Sequence, residues 1–211
     1  MRALVRASGL LAASLALLAA ANVAGCGSQP EAGWQTFDNP QYRFSIAYDA
    51  GRFTPKAPIN ARIKTGAESG YGVGFIPDDA TTTAPVAGEG ATATPSGNIL
   101  TLYVVQVTTY SSPWTAKKVA GLKPYFVKSV AGMTKNLGAK IVGPARETIA
   151  GAPAWRIEGT LTTGGTQLRM RIHYVFHGSN EYELVEQATA ADWPADAPVY
   201  RRMTDSFTFT D

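Results

Sequence analysis

The chain has 211 residues with 19 basic and 16 acidic side chains, and 45% of its residues are hydrophobic. Residues 1–25 hold two of the arginines and no acid, so the 186 residues that follow are almost neutral. A near-neutral chain with no Lys/Arg cluster excludes an electrostatic footprint for nucleic acid, so we expect no nucleic-acid partner. One cysteine and two histidines leave no disulfide and no metal cluster, and no glycine-rich fingerprint of a cofactor follows a strand.

The N-terminus has the layout of an exported protein. Two arginines precede a short apolar run at 9–21, and this run is below the ~20 residues that a membrane-spanning helix needs. Residues 23–26, Val-Ala-Gly-Cys, form a bacterial lipobox. We therefore predict a lipoprotein signal peptide over 1–25 and the attachment of lipid, including a palmitate chain, at Cys26. The alternative is an ordinary signal peptide in which Cys26 is incidental.

Residues 26–33 predict a short polar tether. The eight steps from Cys26 to Trp34 span at most ~28 Å when fully extended. A lipid on Cys26 would therefore hold the rest of the chain close to the cell membrane. We predict that the membrane is a partner and that the protein is located at its extracytoplasmic face. Residues 34–211 are long enough to bury one core, and we predict a single domain.

Alternating apolar and polar residues predict a mainly β domain. Strands are expected at 34–37, 42–48, 61–64, 71–76, 99–109, 140–149 and in a meander over 155–188. The strand at 99–109 is apolar on both sides, which predicts a central strand covered on both faces. The stretch at 77–98 is rich in Thr, Ala, Gly and Pro, and we expect a mobile loop there, with a functional lid as the alternative.

Two helices are expected beside the sheet. Apolar residues recur at intervals of three and four from Val119 to Leu137, which predicts a helix at about 124–137 that ends at Gly138. Residues 115–121 predict a separate short turn, and a last helix is expected at about 195–204.

The meander also predicts a polar face. With 178–180 as a three-residue loop, His177 should lie opposite Glu181. The side chains expected on this face are Arg156, Glu158, Arg169, Arg171, His173, Glu183 and Gln187. A solvated face with surface histidines is one interpretation. The other is a recognition surface for an anionic head group or a protein partner, with Arg156, Arg169, Arg171, His173 and His177 as candidates. The two histidines lie ~13 Å apart along the strand and cannot share a metal ion.

The order of elements resembles the PsbP-like fold. The residues that carry the likeness are Trp34, Phe-Ser-Ile at 44–46, Gly-Ala-Pro-Ala-Trp at 151–155, the Arg/Tyr strand at 169–174 and Asp-Ser-Phe at 205–207. The chain is also similar to actinobacterial lipoproteins of the LpqN kind. This resemblance implies an α+β fold with a curved antiparallel sheet and flanking helices. It further implies a binding or accessory role without catalytic residues.

Three functions remain open at this point. The favoured one is a membrane-tethered, non-catalytic binding or accessory module of the cell envelope, because no catalytic motif accompanies the lipobox. The alternative is a carrier that holds an apolar envelope lipid in a cavity between helix 124–137 and the sheet. A third possibility is an envelope hydrolase, which would need a Ser, a His and an acid in one cleft.

Overall fold

The computed structural model describes residues 32–59, 66–77 and 101–210. The predicted signal peptide, Cys26 and most of the tether lie outside these ranges. So do the predicted strand at 61–64 and all but the first residue of the predicted loop at 77–98. The described residues form two antiparallel sheets and three helices, as expected for an α+β protein.

The elements follow one another in this order: β1 (Trp34–Asn39), β2 (Phe44–Asp49), β3 (Phe53–Lys56), β4 (Ala67–Pro77), β5 (Leu102–Tyr110), α1 (Ala116–Gly121), α2 (Lys123–Leu137), β6 (Lys140–Ile149), β7 (Ala152–Thr163), β8 (Thr166–His177), β9 (Asn180–Thr189), α3 (Trp193–Ser206) and β10 (Thr208–Phe209). The large sheet has the order β3-β4-β5-β9-β8-β7-β6, and the small one has the order β1-β2-β10. All strand pairs are antiparallel.

The large sheet is covered on both faces. On one face, the small sheet and α3 bury aromatic and aliphatic side chains, among them Phe44, Tyr200 and Phe207, against β4, β5 and β9. On the other face, α1 and α2 pack Val119 and Phe126 against β7 and β8. Alternating residues of β5 join the two cores, which confirms that this strand is central and apolar on both sides.

The predicted helix is confirmed as α2. Phe126 and Met133 are buried against the sheet, as the apolar periodicity requires. Pro124 lies in the first turn, where its missing N–H breaks no hydrogen bond. Gly138 ends the helix with φ 63°, a left-handed conformation that glycine adopts without a steric cost. The short turn before it is the separate helix α1.

Three other elements refine the sequence-based expectation. β3 was not predicted, since four residues are too few to show an alternation. α3 begins two residues earlier than expected, at Trp193, because Pro194 occupies its first turn. The interruption predicted in β6 is confirmed, since the pairing with β7 shifts between Val142 and Ala145.

The register predicted for the β8–β9 hairpin is wrong. Its loop has two residues, Gly178 and Ser179, and His177 pairs with Asn180. Gly178 has φ 55°, and a glycine at the first loop position is typical of two-residue hairpins. Because side chains alternate along a strand, this one-residue difference places His177 and Glu181 on opposite faces of the sheet. The expected pair between them does not exist.

Candidate functional site

A network of charged side chains crosses four neighbouring strands on the face that carries α3. The register sets its members side by side, because Arg171 pairs with Glu158 on β7 and with Glu186 on β9. His173 likewise pairs with Arg156. Glu147 on β6 completes the network at the edge of the sheet. Three carboxylates therefore meet two guanidinium groups and one imidazole, and their charges balance only when the imidazole is protonated.

Glu186 is the buried centre of this network, with its side chain 1% exposed. Nη1 of Arg171 donates to its Oε2 at 2.9 Å, and the Thr204 hydroxyl of α3 donates to its Oε1 at 3.0 Å. Nε2 of His173 lies 3.2 Å from the same Oε1. A buried carboxylate is tolerated when hydrogen bonds and opposite charges compensate its lost hydration, and Glu186 has both.

His173 lies between two carboxylates and is 6% exposed. Its Nδ1 lies 2.5 Å from Oε1 of Glu147, and its Nε2 faces Glu186. Burial of the ring opposes protonation, but the hydrogen bonds and charges of the two carboxylates outweigh it and raise the pKa of His173 above 6.5. The expectation that His173 is a surface histidine is therefore wrong: its ring is buried, and Thr204 of α3 binds the same Glu186 that it faces.

The network is most exposed on β7, where its members are Arg156 and Glu158. Nε of Arg171 lies 3.2 Å from Oε1 of Glu158, and Nε of Arg156 lies 2.9 Å from the same atom. Arg156 also reaches Glu147 at 3.6 Å, with 41% of its own side chain exposed. The guanidinium groups of Arg156 and Arg171 are thus committed to carboxylates of the same chain.

The predicted polar face is correct for five residues and wrong for two. Arg156, Glu158, Arg169, Arg171 and His173 alternate on one face, as the strand period requires. Glu183 and Gln187 of β9 lie on the other face, because the shorter loop shifts the register by one residue and so exchanges the faces of the β9 side chains. Glu186 lies on the polar face instead.

The remaining candidates lie at opposite ends of β8. His177 is exposed, and its ring stacks on Phe209 with 3.9 Å between centroids. Arg169 is exposed, and its Cζ lies 5.4 Å from the ring centroid of Trp193, close to the end of the network. The structure thus separates the five candidates into three that belong to the network and two, Arg169 and His177, that lie outside it.

A cleft of about 220 Å³ lies beside the network, between the first turn of α3 and the β6–β8 edge of the sheet. Its walls include two cations, Lys140 and Arg169, together with Trp193 and the apolar Val142. Val142 is 75% exposed, at the point where the β6–β7 ladder is interrupted. Glu158 also borders the cleft, but Arg156 and Arg171 neutralise it.

Trp193 is the one large aromatic side chain among the described residues that line the cleft. Tyr110 packs edge-on against Trp114 at 5.2 Å, and Tyr71 stacks on Tyr42 at 4.9 Å. These contacts are packing within the fold, as is usual for large aromatic side chains.

The sequence-based reasoning missed Glu147, Glu186 and Lys140. Glu186 was hidden by the wrong loop length, and a two-residue loop at Gly178-Ser179 would have placed it on the polar face. Lys140 and Glu147 lie on either side of the interruption at 143–144, so counting by twos along β6 does not predict that they share a face. Among the residues that the structure describes, no three His, Cys, Asp or Glu side chains are arranged to hold a metal ion.

No protein-family model and no curated protein matches this chain. The solved structures that resemble it include cyanobacterial PsbP (CyanoP) of Synechocystis sp. PCC 6803. It is 11% identical, with 89% of this chain and 98% of that chain covered and a TM-score of 0.56. LpqN of Mycobacterium tuberculosis, described as involved in cell envelope biogenesis, is 10% identical, with 87% and 82% covered and a TM-score of 0.42.

A protein of Bacteroides thetaiotaomicron is also similar, with 10% identity and a TM-score of 0.48. The alignment covers 84% of this chain and 48% of that chain. None of the described helices is long and apolar enough to cross a membrane. Identities this low carry the architecture alone, since one fold hosts many functions. The likeness to CyanoP nevertheless extends over nearly the whole of that protein, so this chain has a PsbP-like α+β fold.

Proposed function

We propose that this protein is a membrane-tethered, non-catalytic lipoprotein of the cell envelope that binds an anionic group in the cleft beside Trp193. The observation that carries the proposal is the convergence of Arg169 and Lys140 on that cleft. Within the described residues no carboxylate pairs with either cation, whereas Arg156 and Arg171 are neutralised by the network. A ligand that carries a negative charge would neutralise Arg169 and Lys140, as the carboxylates of the network neutralise Arg156 and Arg171.

The cleft also suggests what else the ligand carries. Trp193 and Val142 offer apolar surface next to the two cations. An amphipathic anion, such as an alkyl phosphate or a fatty acid, would place its charge at Arg169 and its chain against the indole and the valine. Both the head-group contact and the apolar contact contribute to affinity in sites of this kind.

The contacts of His173 support a role other than catalysis. A general base needs a ring nitrogen that is free to accept a proton from a nucleophile. Both nitrogens of His173 instead face carboxylates, and its side chain is only 6% exposed. The hydrolase alternative therefore gains no support from the histidine that the fold buries.

The carrier alternative requires a cavity between α2 and the sheet. Side chains of Val119, Phe126 and Met133 occupy that space and pack against Trp155. Nε1 of Trp155 donates to the Val119 carbonyl at 2.9 Å, which ties α1 to the sheet as well. No observation in the described residues favours a lipid held there, so the cleft at Trp193 is the better candidate.

The tether rests on the Val-Ala-Gly-Cys box and on the sequence resemblance to LpqN-like lipoproteins. Cys26→Ser removes the only thiol, so the variant should stay in the aqueous phase, or remain an uncleaved precursor, when the protein is partitioned with detergent. Cleaved protein that still enters the detergent phase as the serine variant would refute the lipid attachment.

Binding in the cleft can be followed through Trp193. Titration with dodecyl phosphate should change the tryptophan fluorescence in a saturable way, and Trp193→Phe should abolish this change. Arg169→Gln should weaken the binding at least ~10-fold, because a charge-assisted contact to an anion is worth about 1.5–3 kcal/mol. Arg201→Gln, an exposed arginine on α3, is the matched control and should bind normally. Equal affinities for the two arginine variants would eliminate the cleft as the site.

A further inference from the structure

The charges of this chain are strongly segregated along the sequence. Residues 111–146 contain seven basic side chains and no acidic one. The rest of the chain beyond residue 25 contains ten basic and sixteen acidic side chains. The near-neutral total conceals this difference, because the lysines are spaced along the segment rather than consecutive. A sign asymmetry of this size points to an interaction surface.

The structure places this segment in α1, α2 and the start of β6, over one face of the large sheet. Its helical lysines are exposed: Lys117, Lys118, Lys123, Lys128 and Lys135. Nζ of Lys118 donates to the carbonyl of Pro113, and no carboxylate of the described residues pairs with any of the five. We name the exposed surface of α1 and α2 the basic face.

The basic face also carries exposed apolar side chains. Tyr125 is 61% exposed and Val127 is 50% exposed. Successive residues of a helix are rotated by about 100°, so these two flank the buried Phe126 on either side. Lys128 and Lys135 lie on the side of α2 away from the sheet, between the two apolar residues. This mixture of lysines with an exposed aromatic residue is typical of helices that lie in a membrane interface.

We propose that the basic face docks on the surface of an anionic lipid bilayer. The lysines would contact lipid phosphates, while Tyr125 and Val127 enter the head-group region. An acidic protein is the competing occupant. Specific protein interfaces are depleted in lysine and enriched in arginine, whereas α1 and α2 carry five lysines and no arginine, so the basic face does not fit such an interface. Attraction to anionic lipid needs no fixed partner geometry, so flexible lysines serve it well.

This proposal rests in part on the proposed function, because the lipid tether would bring the basic face near a membrane. The length of the tether is compatible with the docking. Trp34, where the tether would end, belongs to the layer opposite α2. A sheet spacing of ~10 Å and a helix diameter of ~10–12 Å separate that layer from the outer surface of α2. The eight residues from Cys26 reach at most ~28 Å, so the tether could span this thickness in a nearly extended form.

Cys26 is the only cysteine, so a lipid on it leaves an introduced cysteine as the one site for a fluorescent label. The full lipidated chain with Val127→Cys is labelled with an environment-sensitive dye and mixed with vesicles that contain brominated acyl chains. Vesicles of phosphatidylcholine with about one third phosphatidylglycerol should quench the dye, and pure phosphatidylcholine should not. Asp205→Cys, on α3 and the opposite layer, should show no quenching in either.

Charge reversal supplies the second measurement. Lys128→Glu with Lys135→Glu should lower the ratio of docked to undocked protein at least ~30-fold, as expected for the loss of two lysines at an anionic surface. The matched control reverses two exposed cations elsewhere, Lys56→Glu with Arg201→Glu, and should leave the quenching unchanged. Salt at about 1 M should abolish the docking.

The anchor and the basic face can fail separately in this design. Protein that does not float with neutral vesicles lacks the lipid anchor, and that result bears on the proposed function. Quenching at residue 127 by anionic vesicles supports the basic face with or without the anchor. Absence of that quenching, or equal quenching in neutral vesicles, overturns the proposal. Quenching that the Lys128 and Lys135 reversals leave unchanged overturns it too.

Discussion

Nδ1 of His173 on β8 lies 2.5 Å from Oε1 of Glu147 on β6, so this contact crosses the strand between them. β6 is the edge of the large sheet, and its ladder with β7 is interrupted between Val142 and Ala145. The histidine thus fastens an edge strand whose backbone pairing is incomplete. Through Glu186 the same imidazole is connected to Thr204 of α3.

This arrangement predicts a pH-dependent stability. The two carboxylates raise the pKa of His173 in the folded protein above its unfolded value near 6.5. A raised pKa stabilises the fold fully below the unfolded value, and the stabilisation is lost as pH rises through the folded value. Urea unfolding of wild type and His173→Gln should therefore differ most below about pH 6.5 and progressively less as the pH rises above that value. A difference that grows with pH would contradict the assigned contacts. His177→Gln, at an exposed position outside the network, should parallel the wild type.

Removal of the charge on Glu186 should be costly. Glu186→Gln keeps the shape but leaves Arg171 and His173 without their buried counter-ion, and breaking a buried pair in this way costs about 3–5 kcal/mol. The free energy of unfolding measured with urea checks this value. Glu68→Gln, an exposed glutamate on β4, should change it by no more than ~0.5 kcal/mol. Similar small effects for both variants would mean that water reaches Glu186.

Two adjacent residues of α2 should differ sharply in their effect on stability. Phe126 is 1% exposed and packs on Tyr174 with 4.8 Å between ring centroids, so Phe126→Ala should cost about 3–5 kcal/mol. Tyr125→Ala should alter the free energy of unfolding by less than ~0.5 kcal/mol, because its side chain lies mainly in solvent. Thermal or urea unfolding of the two variants compares them directly. An unchanged midpoint for Phe126→Ala would place this helix face on the surface.

Gly159 brings β6 and β7 close together beside the cleft. A Cβ at this position would lie 2.7 Å from the Lys140 carbonyl oxygen, so Gly159→Ala must push backbone aside. The expected destabilisation is about 1–3 kcal/mol, and binding of dodecyl phosphate in the cleft should weaken with it. Gly132→Ala in α2 meets nothing within 4 Å and should instead stabilise the protein by about 0.5–1 kcal/mol. A neutral Gly159→Ala would show that the strands can separate freely.

Local patterns in the sequence were sufficient for most of the elements, with β3 as an exception. The stripe that ends at Gly138 predicted α2, because a buried helix face must repeat every three to four residues and a left-handed terminus favours glycine. Period-2 alternation placed Arg156, Arg169, Arg171 and His173 on one face of the sheet, and it did so before their partners were known. The acid-free stretch at 111–146 is equally visible in the sequence, because it depends on composition alone.

Only the tertiary structure decided which β9 residues share the polar face of β7 and β8, and which part of that face is buried. Loop length sets hairpin register, and one residue at 178–180 exchanged Glu183 for Glu186, since every side chain of β9 changes face with it. The burial of His173 depends on contacts that are distant in the sequence: Glu147 precedes it by 26 residues, and Thr204 of α3 binds the Glu186 that it faces. Whether a polar strand face is solvated or becomes a buried ion-pair network is therefore a property of long-range packing, which local sequence patterns do not contain.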